Sequence, residues 1–205
     1  MTVQLQANKA FDAQDIERLV QDHQVHRDVY TSQDVYALEM QHLFANVWVF
    51  VGHESQTPKH GDYFTTQIGS QPVIQVRHSD SKIKVLHNRC PHKGTKIAID
   101  RHGNTGTFFR CPYHAWSFET DGRLKAVPLE SGYSNTSFET TENANGIKPV
   151  GAVHNHRGFV FARLADSGIS FDDFFGDSLS SIDNMVDRSP EGRLEVAGPP
   201  LRLSL

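Results

Sequence analysis

Two cysteines and two of the twelve histidines fall in a pattern able to hold metal. They lie in Cys90-Pro91-His92-Lys93-Gly94 and Cys111-Pro112-Tyr113-His114-Ala115-Trp116, that is C-x-H, eighteen intervening residues, then C-x-x-H. Each arm offers one thiolate and one imidazole from a tight turn opened by Cys-Pro. Such soft and borderline donors suit zinc or iron–sulfur chemistry. Zinc sites usually group their ligands as cysteine pairs and histidine pairs with two or more residues between them. Here both arms are mixed, and the C-x-H arm is tight for chelating one tetrahedral ion. A binuclear cluster suits the pattern better, with both cysteines on one iron and both histidines on the other. Zinc stands as the alternative, and colour separates the two: an iron–sulfur chain is red-brown, a zinc protein colourless. Two cysteines are too few for a disulfide framework.

The elements that must position these arms can be read from the rest of the 205 residues. With 38% hydrophobic and 21% charged residues, a packed core is feasible and wholesale disorder is excluded. The first 46 or so residues read as helical. Phe11 to Gln21 places Ile16, Leu19 and Val20 at helical spacing, and Thr31-Ser32-Gln33-Asp34 is a start signal leading into Val35, Leu38, His42 and Leu43. From Trp48 the texture changes to short apolar or alternating runs: VWVFV, DYFTTQI, PVIQV, KIKVL, GTFFR, AWSFET, PVGAV and GFVFARL. Turn chemistry separates them at Gly61-Asp62, Ser79-Asp80-Ser81, His102-Gly103-Asn104 and Asp121-Gly122. Such runs predict an antiparallel β-sandwich or small barrel. Segment 128–147 reads as a long polar loop, and FDDFFG and SLSSIDNMV as short helices. No internal repeat is visible. The predicted class is α+β: a helical lead-in over 1–46, a β domain over 47–165 with a cluster-binding lobe at about 84–125, and short helices with the start of a linker over 166–205.

Charge narrows the partners. The net charge of −4 argues against a nucleic-acid binder, which is usually basic. Between Arg77 and Lys125, however, ten bases face four acids, so this window carries +6 and the rest of the chain −10. A basic docking face for an acidic partner is the sharper reading, ordinary solvated loops the plainer one. No apolar run approaches the roughly 20 residues of a membrane helix, and MTVQLQANKAFDAQD shows no secretory leader. The expectation is a cytoplasmic protein without a membrane partner.

Around the four donors the sequence resembles the Rieske domain of the large (alpha) subunits of bacterial aromatic-ring-hydroxylating oxygenases. The likeness runs through Tyr30-Thr31, Glu39, Phe44, Trp48, Gly52-His53-Glu54-Ser55, Gly61-Asp62-Tyr63, Gly69, Pro72-Val73-Ile74 and Arg77 before the first arm. After the second it continues through Gly122, Leu124 and Gly158-Phe159-Val160-Phe161. The resemblance implies that Cys90 and Cys111 ligate the buried iron of a [2Fe–2S] cluster, that His92 and His114 ligate the outer iron, and that Trp116 packs beside it. It also implies a one-electron relay from a ferredoxin or reductase to a mononuclear iron(II). That iron sits on two histidines and a carboxylate in a second domain, within a homotrimeric parent with or without a beta subunit. Only His154 and His156 follow Trp116, so that second iron site is expected to be missing from this chain. A free-standing Rieske-type ferredoxin is the alternative; such carriers are shorter and lack both the helical lead-in and the long stretch after Lys125.

Two departures from the family pattern stand out: Ala115 where glycine is usual, and Lys93 where arginine is. Respiratory-type Rieske proteins add two cysteines and a serine at positions that look like Thr95, Tyr113 and Trp116 here. Fewer hydrogen bonds to sulfur predict a reduction potential near the low end of the Rieske range, around −150 mV. Of the other histidines, His53 and His87 are read as packing residues. His23, His26, His60, His78, His102, His154 and His156 are read as solvated, with His102 and Arg101 at the rim of the cluster.

Overall fold

The computed structural model describes residues 13–138 and 145–198. The lead-in is helical but broken into short pieces. Helix α1 spans Ala13–Leu19 and stops where Val20–Gln21 (β1) and Gln24–Val25 (β2) pair as a small hairpin. Val20 thus leaves the helix its spacing suggests, and Phe11 lies outside the described residues. Helix α2 spans Asp28–Thr31. Helix α3, Gln33–Leu38, starts at the anticipated signal: the Ser32 hydroxyl accepts from Val35 N–H at 3.4 Å, satisfying an otherwise orphaned donor. A π-helical turn over Glu39–Leu43 continues it.

Strands β3 (Val49–His53), β4 (Asp62–Ile68), β5 (Gln71–Arg77) and β6 (Ile83–His87) precede the first cysteine. Strands β7 (His102–Asn104) and β8 (Phe108–Arg110) separate the two arms, and β9 (Ser117–Glu119), β10 (Leu124–Ala126), β11 (Ala152–His156) and β12 (Phe159–Arg163) follow. They form three antiparallel sheets of order β6-β5-β4-β7, β11-β12-β3 and β10-β9-β8. Helices α4 (Phe171–Phe175) and α5 (Leu179–Asp187) form where FDDFFG and SLSSIDNMV place them.

The four-stranded sheet is the middle layer. Side chains alternate along a strand, and in β5 both sets are buried. Val73 packs with Val51, Ile68, Val85 and Val160 toward the β11-β12-β3 sheet. Ile74 and Val76 face the opposite way, packing with Leu86, Cys90, Phe109, Trp116 and Phe118. Two-sided burial is why PVIQV reads as a near-continuous apolar run rather than a strict alternation. Beyond β11-β12-β3, α4 sets Phe171 against Trp48 and Phe161.

The fold is α+β with facing antiparallel sheets. Among the described residues no sheet closes on itself, so the small-barrel alternative is not what forms. His102-Gly103-Asn104, turn-like in composition, is strand β7, because Asp62, Tyr63 and Phe64 of β4 pair with it. Strand β10 pairs Leu124 with Phe118 and carries no signal of its own. The polar stretch after residue 128 includes a 3₁₀ turn over Glu130–Tyr133; residues 139–144 lie outside the described residues. Among the described residues no helix is long and apolar enough to cross a membrane.

Candidate metal centre

The two arms fold into one motif used twice. In the first, Cys90 N–H donates to Thr95 O (2.8 Å) and Gly94 N–H returns to Cys90 O (2.8 Å). In the second, Cys111 N–H donates to Trp116 O (2.8 Å) and Ala115 N–H returns to Cys111 O (3.0 Å). The fifth position of each turn is left-handed, Gly94 at φ 75° and Ala115 at φ 57°. This repeat of six residues is too short to register in a sequence scan. The histidine holds the third place of the first turn and the fourth of the second.

Each turn has its own support. Strands β8 and β9 pair Phe109 with Phe118 and Arg110 with Ser117, which closes the hairpin under Cys111. The first turn has no such hairpin and relies on Asn88, only 3% exposed. Its amide donates to Ala98 O (2.7 Å), and its Oδ1 accepts from Ile97 N–H (2.9 Å) and Ala98 N–H (3.0 Å). Sequence reading missed Asn88. The signal was a polar residue directly after an apolar strand, two positions before Cys90.

The cysteines lie at the bottom of the site, 2% and 3% exposed, and neither is in a disulfide. Burial pushes the Cys90 thiol up to about 11; the neighbouring Cys111 thiol adds to this, while hydrogen bonds from the His92 and Lys93 backbone N–H groups to its sulfur oppose it. The imidazoles lie nearer the surface. The His92 and His114 ring centroids are 4.7 Å apart. His92 is stacked on Trp116, 4.7 Å between centroids and 5° between planes, and Tyr113 covers His114 at 3.7 Å. Burial, then the charges of His114 and Lys93, hold His92 below its usual range, so it stays neutral and keeps a lone pair for a metal.

The structure therefore brings Cys90, Cys111, His92, His114 and Trp116 into one place. The four donors fall two and two, a buried thiol pair and an outer imidazole pair. Among the described residues no group of three or more His, Cys, Asp or Glu side chains is disposed to hold a single metal ion. A thiol pair on one metal and an imidazole pair on another is the division a Rieske cluster uses, and the donor set fits it.

The remaining histidines are more engaged than their sequence context suggests. His53 is buried as anticipated. His78 Nδ1 lies 2.6 Å from Thr120 Oγ1, His154 stacks on Phe171 at 3.8 Å, and His156 Nε2 bonds Asp183 at 2.8 Å. None of these three is simply solvated. His102 pairs with Phe64 across β7 and β4, and the Arg101 guanidinium lies 5.7 Å over the Phe64 ring, so both are set against β4.

Comparison with known proteins agrees with this geometry. Residues 47–140 match the Rieske [2Fe-2S] domain family, and they form a Rieske [2Fe–2S] domain. The chain that carries it is a homologue of the alpha subunits of aromatic-ring dioxygenases. It is 37% identical over 172 residues to the toluate 1,2-dioxygenase alpha subunit of Pseudomonas putida, covering 83% of this chain and 37% of that protein. It is 33% identical over 199 residues to a benzene 1,2-dioxygenase alpha subunit of Pseudomonas putida, covering 96% and 43%. The chain thus spans about two fifths of the length of these relatives. Among solved structures, naphthalene 1,2-dioxygenase from Rhodococcus sp. bound to indole superposes with a TM-score of 0.79 at 30% identity, covering 86% of this chain and 39% of that one. A quaternary ammonium Rieske monooxygenase, described for carnitine oxidation and inter-subunit electron transfer, gives 0.70 at 27% identity over 78% and 42%.

Proposed function

We propose that Cys90, Cys111, His92 and His114 hold a [2Fe–2S] cluster. On this reading the chain is the electron-transfer domain of a ring-hydroxylating oxygenase alpha subunit. It passes single electrons from a ferredoxin or reductase to a mononuclear non-heme iron outside these 205 residues. The observation that carries the reading is the division of donors, a buried thiol pair beneath an imidazole pair 4.7 Å apart. When bound, such a cluster supplies reversible one-electron chemistry.

The chain's own residues set the terms. Backbone N–H groups of His92 and Lys93 point at the Cys90 sulfur and stabilise its thiolate form. Phe109, Trp116 and Phe118 wall the cysteines from water, which raises the cost of charging a thiol without metal. Both imidazoles keep an edge toward the surface, His114 exposed and His92 half-buried, so a donor or acceptor protein can approach. Delivery to a neighbouring subunit in a homotrimer, with or without a beta subunit, follows from the likeness to alpha subunits, as do a cytoplasmic setting and an aromatic substrate.

The test is chemical. Purified chain reconstituted anaerobically should contain two iron atoms and two acid-labile sulfides and show a rhombic electron-paramagnetic resonance signal when reduced with dithionite. A colourless chain holding one zinc would refute the reading.

A further inference from the structure

The basic window does not present its charge evenly. Lys84 pairs with Asp80, Arg123 with Asp121 and Lys125 with Glu119. Three of the window's four acids are thereby engaged, and their partners are neutralised away from the first arm. Arg77 is turned inward onto the carbonyls of Thr57 (2.8 Å), Ser81 (2.9 Å) and Glu54 (3.2 Å). Arg89, Lys93, Lys96, Arg101 and Arg110 are all exposed, and none of the five has a carboxylate partner in an ion pair among the described residues. Lys82, also exposed and without one, sits at the opposite end of β6 from the first arm. The one remaining acid of the window is Asp100.

Arg89, Lys93 and Lys96 belong to the first arm and its flanks, Arg101 follows them against β4, and Arg110 precedes Cys111. The Arg89 guanidinium is laid along the first turn: a β-carbon on Gly94 would sit 3.2 Å from Arg89 Nε. Between Lys96 and Arg101 stands Ile99, 73% exposed, and the three line one groove with Phe64 and Thr65 of β4. The second turn presents a different face. Its histidine is exposed, with the Tyr113 ring 3.7 Å away, but the cations that follow it are paired with Asp121 and Glu119.

We infer that the electron donor is a protein with an acidic surface that docks on the first arm, over His92, and not on the second arm, over His114, where the cations are paired. The inference rests on the proposed cluster site and adds a partner chemistry and a direction of approach. Unpaired cations around an apolar point steer an acidic partner and speed encounter, an effect that salt screens. Paired cations contribute little field of their own.

The experiment uses the cluster-loaded full chain and an acidic [2Fe–2S] ferredoxin, reduced beforehand, in stopped flow at low ionic strength. Lys96→Glu with Arg101→Glu should lower the second-order rate about tenfold or more and flatten its salt dependence. Lys96→Gln with Arg101→Gln should give a smaller loss in the same direction. The charge-matched Lys59→Glu with Lys82→Glu, and separately Arg123→Gln with Lys125→Gln, should leave the rate within about twofold. Reduction by dithionite should be the same in all. If the Lys59/Lys82 pair or the Arg123/Lys125 pair slows the ferredoxin as much as the first-arm variants, or if none does, docking on the first arm is overturned while the site stands. A wild-type chain without iron and sulfide would overturn the site and, with it, the docking surface.

Discussion

Ala115 is the residue at which the site departs most clearly from its own design. The twin position in the first turn is Gly94, and both are left-handed. A β-carbon there costs about 1–2 kcal/mol, partly offset by the greater freedom glycine has when unfolded. Ala115→Gly should therefore raise the melting temperature of the loaded chain by a few degrees, about 1 kcal/mol at this size, as differential scanning calorimetry would show. That Ala115 stands where glycine is usual needed only the family pattern; its left-handed backbone needed the fold. As a proposed ligand, His92 bears on the redox chemistry more directly. Replacing it with cysteine exchanges a neutral donor for an anionic one, which disfavours the reduced state. His92→Cys should retain part of the cluster with a potential well below the roughly −150 mV expected of the parent, and an unchanged potential in a spectroelectrochemical titration would exclude His92 as a ligand.

At the scale of elements, the two arms are held by different means, and their fragility differs accordingly. The second is a hairpin closed by β8 and β9. The first depends on three hydrogen bonds to the buried Asn88 amide. Asn88→Ala leaves two backbone N–H groups and a carbonyl without partners, at about 1–3 kcal/mol for each group that stays buried. The first arm should loosen before the sheets do, seen as faster iron loss to a chelator and as early hydrogen exchange at Ile97 and Ala98, with β4 and β5 still protected. Most elements were legible from pattern. VWVFV, DYFTTQI and GFVFARL became strands, and Ser32 capped a helix. What escaped was structure conferred by a neighbour rather than by local preference. His102-Gly103-Asn104 is a strand only because β4 pairs with it, and Val20 leaves its helix to pair with Val25. The four candidate donors were legible because cysteine is scarce; Asn88 was not, since an asparagine declares its role only through the groups it reaches.

For the molecule as a whole, histidines held neutral set the response to acid, and besides His92 three of them lie outside the metal centre. Burial lowers His53 from the usual 6.5 against the pull of Glu54 and Glu195. Burial, then Lys148, lowers His87. Burial, with His156 adding and Asp172 opposing, lowers His154. Each binds its proton more weakly folded than unfolded, so its contribution is complete above about 6.5 and is lost as the pH falls through the lowered folded value. Urea titrations of the cluster-free chain should show stability dropping from pH 7 to pH 5, with a shallower slope in His53→Asn. The two indoles report separately on the layers involved. Trp48 packs on Phe171 and under the Arg163 guanidinium in the helical layer, whereas Trp116 is stacked on His92. Emission from one follows the scaffold and emission from the other follows the imidazole beside it. The polypeptide is thus fitted with two optical gauges, and replacing either tryptophan by phenylalanine would leave the other to be read alone.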